Sequence, residues 1–436
     1  MAEKYGVASK KQTVVIYASQ SGTAVRYASQ IAEHLEGPVS LLSLDRVDDD
    51  LLAEAACAIF VVSTYGEGEP PDNGVRFSRT FLTASAKNLS HLKFSVLALG
   101  DRSYRYFCGF GHSVYQGLKH HGATPMFPVI EIDAQSEDSC ARELARGYEQ
   151  LRACGIKIKV PDLEDHSFTL SPGGSAYHRW HLRERYVVNP GSPGESLYWI
   201  RLHPDKETSE PWQAGDIAEV IPCYPEEDGS PKQALPAPAA RAYSIASIPE
   251  DGSLDLLVRQ QRNPDGSFGL ASGWLTHYLK SGDDVTLRIR ANPLFKGPKE
   301  DVPLILIGNG SGFAGLRAIL HEREKLGLSQ NWLFFGERSP DKDRIFNKEI
   351  ATWQHSGHLQ KVDLAFSRCP RNPRYVQDAL KTADDLRAWV DKGAVLMVCG
   401  SLKGMAEGVD DALRATLGEK QLEQLSLAGR YKRDVY

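Results

Sequence analysis

Residues 13–24 read TVVIYASQSGTA, and the fold is decided here. Thr13 to Ala18 is a short apolar run of the length and β-branched character of a buried strand. Ser19, Gln20, Ser21, Gly22, Thr23 and Ala24 follow as a loop of hydroxyls around a glycine, and helical sequence begins near Val25. A strand that feeds a helix through such a loop aims N–H and O–H donors at an anion, and the helix dipole adds to them. The loop contains no lysine, so a phosphate monoester suits it better than a nucleoside triphosphate. Taken alone, the same residues fit an ordinary helix cap equally well.

Outward from this point, strands recur at Val39 to Leu44, Cys57 to Ser63, Phe94 to Gly100 and Thr124 to Ile132, with helical sequence between them. This alternation predicts a doubly wound parallel sheet, whose ligands lie in the loops beyond the carboxyl ends of its strands. Two of those loops are rich in turn residues, 63–74 (STYGEGEPPDNG) and 99–109 (LGDRSYRYFCG). Each carries a tyrosine, Tyr65 and Tyr104, and a flat ring fits between two such side chains. Exposed turn tyrosines are common, but two of them flanking a phosphate loop are a less frequent coincidence.

Pattern changes divide the rest of the chain. The α/β region spans 1–154, and a Pro/Gly and acidic stretch at 155–176 reads as a linker. In 177–298 short strands are separated by Gly and Pro turns: Tyr186 to Val188, Leu197 to Leu202, Asp216 to Ile221, Arg241 to Ser247, Ser253 to Val258 and Val285 to Ile289. They predict a small antiparallel barrel. In 299–436 the α/β pattern returns, with strands at Pro303 to Ile307, Trp332 to Phe335, Lys361 to Ala365 and Val395 to Cys399.

The 436 residues are 42% hydrophobic and 25% charged, as in ordinary multidomain globular protein. A net charge of -5 gives no bulk attraction to nucleic acid, and no apolar run reaches the length of a membrane span. The seven cysteines contain no CxxC pair, no metal site is expected, and the N-terminus lacks the apolar core of a secretory signal. The expected location is therefore the cytoplasm, with reduced thiols.

The α/β region from Thr13 to about Ala153, with its two aromatic loops, resembles the flavodoxin-like FMN domain of the diflavin reductases. The resemblance implies FMN, with its phosphate on Ser19, Gln20, Ser21, Gly22, Thr23 and Ala24. Its ring would lie among Thr64, Tyr65, Gly66, Gly68, Leu99, Gly100, Asp101, Tyr104, Phe107 and Cys108. Glu67, Glu69, Asp72 and Asp101 cluster on these loops, in a region with 15 Lys and Arg against 18 Asp and Glu. They read either as a solvated loop or as a docking face for a basic acceptor.

RAYS at 241–244 and GLASGWL at 269–275 are similar to the flavin-binding segments of the ferredoxin-NADP reductase family. They imply FAD on Arg241, Ala242, Tyr243, Ser244, Gly269, Ala271 and Ser272. GNGSGFAG at 308–315 stands between a strand and a helix, as a dinucleotide loop must, and places Gly310, Ser311 and Gly312 at the pyrophosphate. Gly336 to Arg338, then Ser367, Arg368, Arg374, Tyr375 and Gln377, offer hydroxyls and guanidiniums suited to a 2′-phosphate, which favours NADPH over NADH. The resemblance also gives Ser244, Cys399, Asp434 and Tyr436 catalytic positions around the flavin and nicotinamide, with Tyr436 covering the flavin.

Within this family the chain is similar to sulfite reductase flavoproteins, but Asp216 and Arg241 stand too near each other for their usual inserted connecting domain. Gly315, Pro373 and Ser401 replace a usual proline, lysine and aspartate, and Arg374 is the candidate substitute for that lysine. The implied activity passes electrons from NADPH through FAD and FMN to a separate haem or iron–sulfur protein, such as a sulfite reductase haemoprotein. Two other readings stand beside it: a self-contained NADPH oxidoreductase for quinones, metal chelates or dyes, and a flavin-binding scaffold with a decayed nucleotide site.

Overall fold

The computed structural model describes residues 13–19, 22–65, 68–84, 87–102, 105–134, 137–160, 177–205, 211–225, 231–232 and 240–436. The chain forms two compact units, Met1–Gly173 and Gly174–Tyr436.

In the first unit β1 (Thr13–Ala18) lies between β2 (Val39–Ser43) and β3 (Cys57–Ser63), followed by β4 (Lys93–Gly100). All of these pairings are parallel. Alternate residues of β1 enter opposite cores: Val14, Ile16 and Ala18 on one face, Val15 on the other. Such strands, buried on both faces, require helices on both sides. The helices are α1 (Thr23–His34), α2 (Asp49–Glu54), α3 (Val75–Phe77), α4 (Gly109–His120) and α5 (Glu137–Ala153).

The strand expected over Thr124 to Ile132 is two, β5 (Thr124–Pro125) and β6 (Ile130–Asp133), both paired with β4. Pro125 and Pro128 lack the N–H that a continuous ladder needs. Ile156 and Val160, in the stretch read as linker, pack on the core of the first unit, and Glu36 N–H donates to the Lys157 carbonyl at 2.9 Å. The remainder of that stretch, 161–176, lies outside the described residues.

The second unit opens with six antiparallel strands in the order β12-β9-β14-β7-β8-β13. These are β7 (His178–Val187), β8 (Leu197–Pro204), β9 (Ile217–Ile221), β12 (Arg241–Ser244), β13 (Leu254–Arg259) and β14 (Asp284–Arg290), and β10 (Tyr224–Pro225) pairs with β11 (Pro231–Lys232). Beyond β12, Ile245 bridges Leu256 of β13, so the two edges meet and close the barrel. The short helix α6 (Leu270–Gly273) follows β13.

A parallel sheet completes this unit, ordered β17-β16-β15-β18-β19: β15 (Leu304–Asn309), β16 (Asn331–Glu337), β17 (Leu359–Phe366), β18 (Val395–Gly400) and β19 (Tyr431–Val435). Around it stand α7 (Phe313–Lys325), α8 (Asn347–His355), α9 (Val376–Lys381), α10 (Leu386–Asp391), α11 (Glu407–Leu417) and α12 (Glu419–Leu427). One hydrophobic core holds Trp199 and Ala246 of the barrel together with Phe313, Leu333 and Met397 of this lobe. Among the described residues no helix is long and apolar enough to cross a membrane.

Candidate functional site

In the first unit, β1 delivers its chain to α1 through Ser19 and Gly22. Gly22 has φ 87°, a left-handed turn that suits glycine, and α1 has no side-chain cap. Ser19 Oγ accepts the Gly22 N–H at 2.9 Å, and Ser19 N–H donates to Asn73 Oδ1 at 2.9 Å, tying the loop to the turn that follows β3. These groups fit a phosphate at the helix start. Gln20, Ser21, Gly66, Glu67 and Tyr104 lie outside the described residues.

The other expected FMN positions divide between backbone and side chain. Ala24 and Leu99 are core residues, so only their main-chain groups face outward. Thr64 Oγ1 accepts the Phe110 N–H at 3.1 Å and so braces the start of α4. A Cβ on Gly100 would stand 2.7 Å from the Cys108 nitrogen, which explains glycine there. Tyr65 and Glu69 pair across a tight turn containing Gly68. Cys108 is buried at φ 56° and donates its thiol to the Ala98 carbonyl at 3.1 Å; burial pushes the thiol up to about 12. Phe107 is partly buried under the Arg102 guanidinium, and Asp101 is partly exposed.

In the second unit, β12 meets the carboxyl ends of β18 and β19. Ser244 is buried and donates its hydroxyl to Asp434 Oδ2 at 2.7 Å, and the buried Cys399 thiol lies 3.8 Å from the same oxygen. Burial raises the Asp434 pKa, against the opposing hydrogen bond from Ser244 and the charge of Arg290. Burial, and then the Asp434 charge, also raises the Cys399 thiol well above its ordinary value. The structure thus brings together three residues from β12, β18 and β19 that the sequence reading had assigned to one site.

Of the remaining expected FAD positions, Arg241 and Ala242 are exposed while Tyr243 packs against the barrel core. Ser272 Oγ accepts the Gln261 N–H at 3.1 Å, holding the Gly269–Ala271 turn against the chain beyond β13.

Beside this cluster lies a cavity of about 550 Å³ lined by Gly310, Ser311, Ser367, Tyr375, Gln377 and Tyr436, among others. Gly308 and Gly312 let α7 approach β18, since a Cβ would stand 2.6 Å and 2.1 Å from the Cys399 carbonyl oxygen. Tyr436 is held through its N–H on the Gly400 carbonyl, and its phenol donates to Ser311 Oγ at 3.1 Å. Arg368 is exposed and donates to the Pro193 carbonyl at 3.3 Å, and Arg374 turns back to the Leu364 carbonyl at 3.2 Å. Neither lines the cavity, whereas Arg338 does.

Arg259 also lines the cavity and was not expected as a site residue, and Glu337, within the expected Gly336–Arg338 stretch, had no role of its own assigned. Arg259 reaches from β13 to Glu337 Oε1 at 3.3 Å, and burial raises the Glu337 pKa. Neither stood out, because charged residues at strand ends have no motif of their own.

Residues 15–148 match the flavodoxin family model, and residues 306–411 match the oxidoreductase NAD-binding domain model. Sulfite reductase [NADPH] flavoprotein alpha-component of Vibrio vulnificus is 27% identical over 536 residues, covering 97% of this chain and 87% of the relative. The Bacillus subtilis protein of the same name is 26% identical over 549 residues, covering 100% of this chain and 91% of the relative. The chain has diflavin reductase architecture.

Both alignments are longer than the chain's 436 residues, so these diflavin reductase relatives carry segments that this chain lacks. With this architecture the chain is a flavoprotein oxidoreductase, with a flavodoxin-like unit for FMN and a second unit for FAD and a nicotinamide nucleotide.

Proposed function

We propose that the chain takes electrons from NADPH and passes them through FAD and FMN to a separate haem or iron–sulfur protein. The observation that carries this reading is the buried Ser244–Asp434–Cys399 cluster, set beside a glycine-rich nucleotide loop. When bound, FAD would supply two-electron hydride chemistry opposite the nicotinamide, and FMN would supply one-electron delivery. Asp434 stabilises the positive charge that develops on the nicotinamide, and Ser244 fixes that carboxylate through its hydroxyl. Cys399 fills the space beside Gly315, where a Cβ would lie 3.2 Å from its Sγ, and so limits how the nicotinamide enters. Tyr436 must leave Ser311 for the nucleotide to occupy the glycine-rich loop. The intact cluster argues against a decayed scaffold. Glu69, Asp72 and Asp101, with Glu67 outside the described residues, would form the face that receives a basic acceptor.

Purified protein should release FMN and FAD in equal amounts, and anaerobic NADPH should bleach both. Recovery of a single flavin after reconstitution with both would defeat the reading. Binding of the 2′-phosphate should depend on Arg338, which is among the residues lining the cavity, more than on Arg368, which is not. Arg338→Ala is expected to raise KM for NADPH by roughly 10- to 150-fold, a charge-assisted contact of ~1.5–3 kcal/mol, and to leave KM for NADH nearly unchanged. Equal effects on both nucleotides would show that Arg338 does not read the phosphate.

A further inference from the structure

Arg317 lies on α7, two residues beyond Gly315, and is almost buried, with a side-chain exposure of 11%. Its guanidinium is fully engaged. Nε and Nη2 donate to the Glu349 carboxylate of α8 at 2.7–3.1 Å, and Nη1 donates to the Ala246 carbonyl at 2.6 Å. Asp251 of the barrel lies 4.0 Å from Nη1, and the guanidinium carbon stands 5.0 Å from the Trp199 ring centre. One side chain therefore ties the helix that follows the dinucleotide loop to the barrel segment that carries Ser244.

His321, one turn further along α7, repeats the connection. Its Nε2 lies 2.9 Å from Glu349 Oε1 and its Nδ1 3.4 Å from Asp251 Oδ1, with the ring edge-on to Trp353 of α8. Only the imidazolium can donate to both carboxylates. Burial disfavours that cation, but the hydrogen bonds to Asp251 and Glu349 outweigh it and hold the His321 pKa above its ordinary value. The bridge is thus complete at low pH and loses one donor as pH rises through that raised pKa. The charged groups facing His321 are Asp251 from the barrel, Glu349 from α8 and Arg317 from its own helix.

We propose that Arg317, with Glu349, His321 and Asp251, is a positioning device that fixes the distance between the nucleotide-binding lobe and the flavin-binding strand for hydride transfer. The proposal rests on the functional reading above. Its geometric basis is that the start of α7 and β12 meet at the site itself, where a Cβ on Gly315 would lie 3.7 Å from Ser244 Cβ. An error of about 1 Å between reacting groups costs on the order of 100-fold in rate. A small rotation of α7 is therefore enough to slow the chemistry without emptying the nucleotide site.

The test is anaerobic stopped-flow reduction of the full chain, loaded with both flavins, by NADPH and by NADPH deuterated at nicotinamide C4. Arg317→Met keeps an apolar stem over Trp199 and removes the polar contacts. It should slow FAD reduction by ~10- to 100-fold, enlarge the isotope effect and leave the dissociation constant for NADPH within about threefold. Arg317→Lys should recover part of the rate. In the unaltered protein the isotope effect should grow as pH rises through the histidine range, and His321→Gln should abolish that trend. An unchanged rate in Arg317→Met, or a loss of rate that only follows loss of NADPH affinity, overturns the proposal. If Arg317→Met fails to retain FAD, Asp251→Asn carries the test, since it removes only the barrel-side anion; an unchanged rate and pH trend there overturns the proposal equally. Failure of NADPH to reduce the unaltered protein is a separate result, and it removes the functional reading itself.

Discussion

Asp434→Asn should lower the rate of FAD reduction by NADPH by ~10²–10³-fold, the usual consequence of removing a preorganised electrostatic group from a buried site. The carboxylate is held by Ser244 at 2.7 Å, and asparagine preserves that shape while removing the charge. The NADPH dissociation constant should change little, because the charge acts where the nicotinamide becomes positive and not on the resting nucleotide. The pH dependence provides a second check. Burial raises the Asp434 pKa, so the rate should fall with decreasing pH along a limb above the ordinary carboxylate range, and the substitution should erase that limb. Stability should move the other way. Because the folded state disfavours the ionised carboxyl, its ionisation destabilises the fold increasingly as pH rises past the unfolded value, and above the folded pKa Asp434→Asn should melt higher than the unaltered protein. Unchanged flavin reduction in this variant would remove Asp434 from the reaction.

Gly312→Ala should damage the second unit severely while sparing the first. The new methyl would stand 2.1 Å from the Cys399 carbonyl oxygen, 2.5 Å from its carbon and 2.6 Å from Gly400 Cα, all of them backbone atoms of β18, which pairs with β15 and β19 on its two sides. None can rotate away. Either α7 lifts from the sheet or β18 bends, and both moves displace Cys399. Overpacking of this kind costs ~3 kcal/mol, or roughly 6–12 °C in the melting of a domain this size. NADPH binding should be lost while FMN content is retained, since Gly312 lies wholly in the second unit. Normal NADPH affinity would mean that α7 does not approach β18 this closely.

Strands buried on both faces were legible in the sequence, since they read as unbroken apolar runs. Thr13–Ala18 and Cys57–Ser63 are observed with the expected bounds. The strand β7 was visible only at its end: Trp180 and Leu182 are buried with His181 between them, and the charged run Arg183–Glu184–Arg185 follows. A shift in its pairing between Leu182 and Glu184 breaks the strand's alternation further. Most of β19 (YKRDV) is polar or charged, and its only buried apolar residue is Val435, so nothing in its composition marks a strand. Its tertiary pairing with β18 defines it. The same division holds for the site. Glycine-rich turns announced themselves, whereas the placement of the arginines did not: Arg374 satisfies a strand carbonyl and Arg338 is among the residues lining the cavity. Side-chain direction follows from the packing around a residue, which spacing along the chain does not encode.

The burial of Cys108 and Cys399 bears on survival in an oxidising chemistry. Peroxide and electrophiles react with thiolates, not thiols. Two cysteines proposed to stand beside the flavins would be the first casualties of any leak to oxygen, had they been acidic and open to solvent. Both are instead closed off and kept protonated, Cys108 at about 12 and Cys399 well above its ordinary value. Cys154, at the end of α5, is the exposed thiol, so oxidative wear should reach the protein's periphery before its electron path.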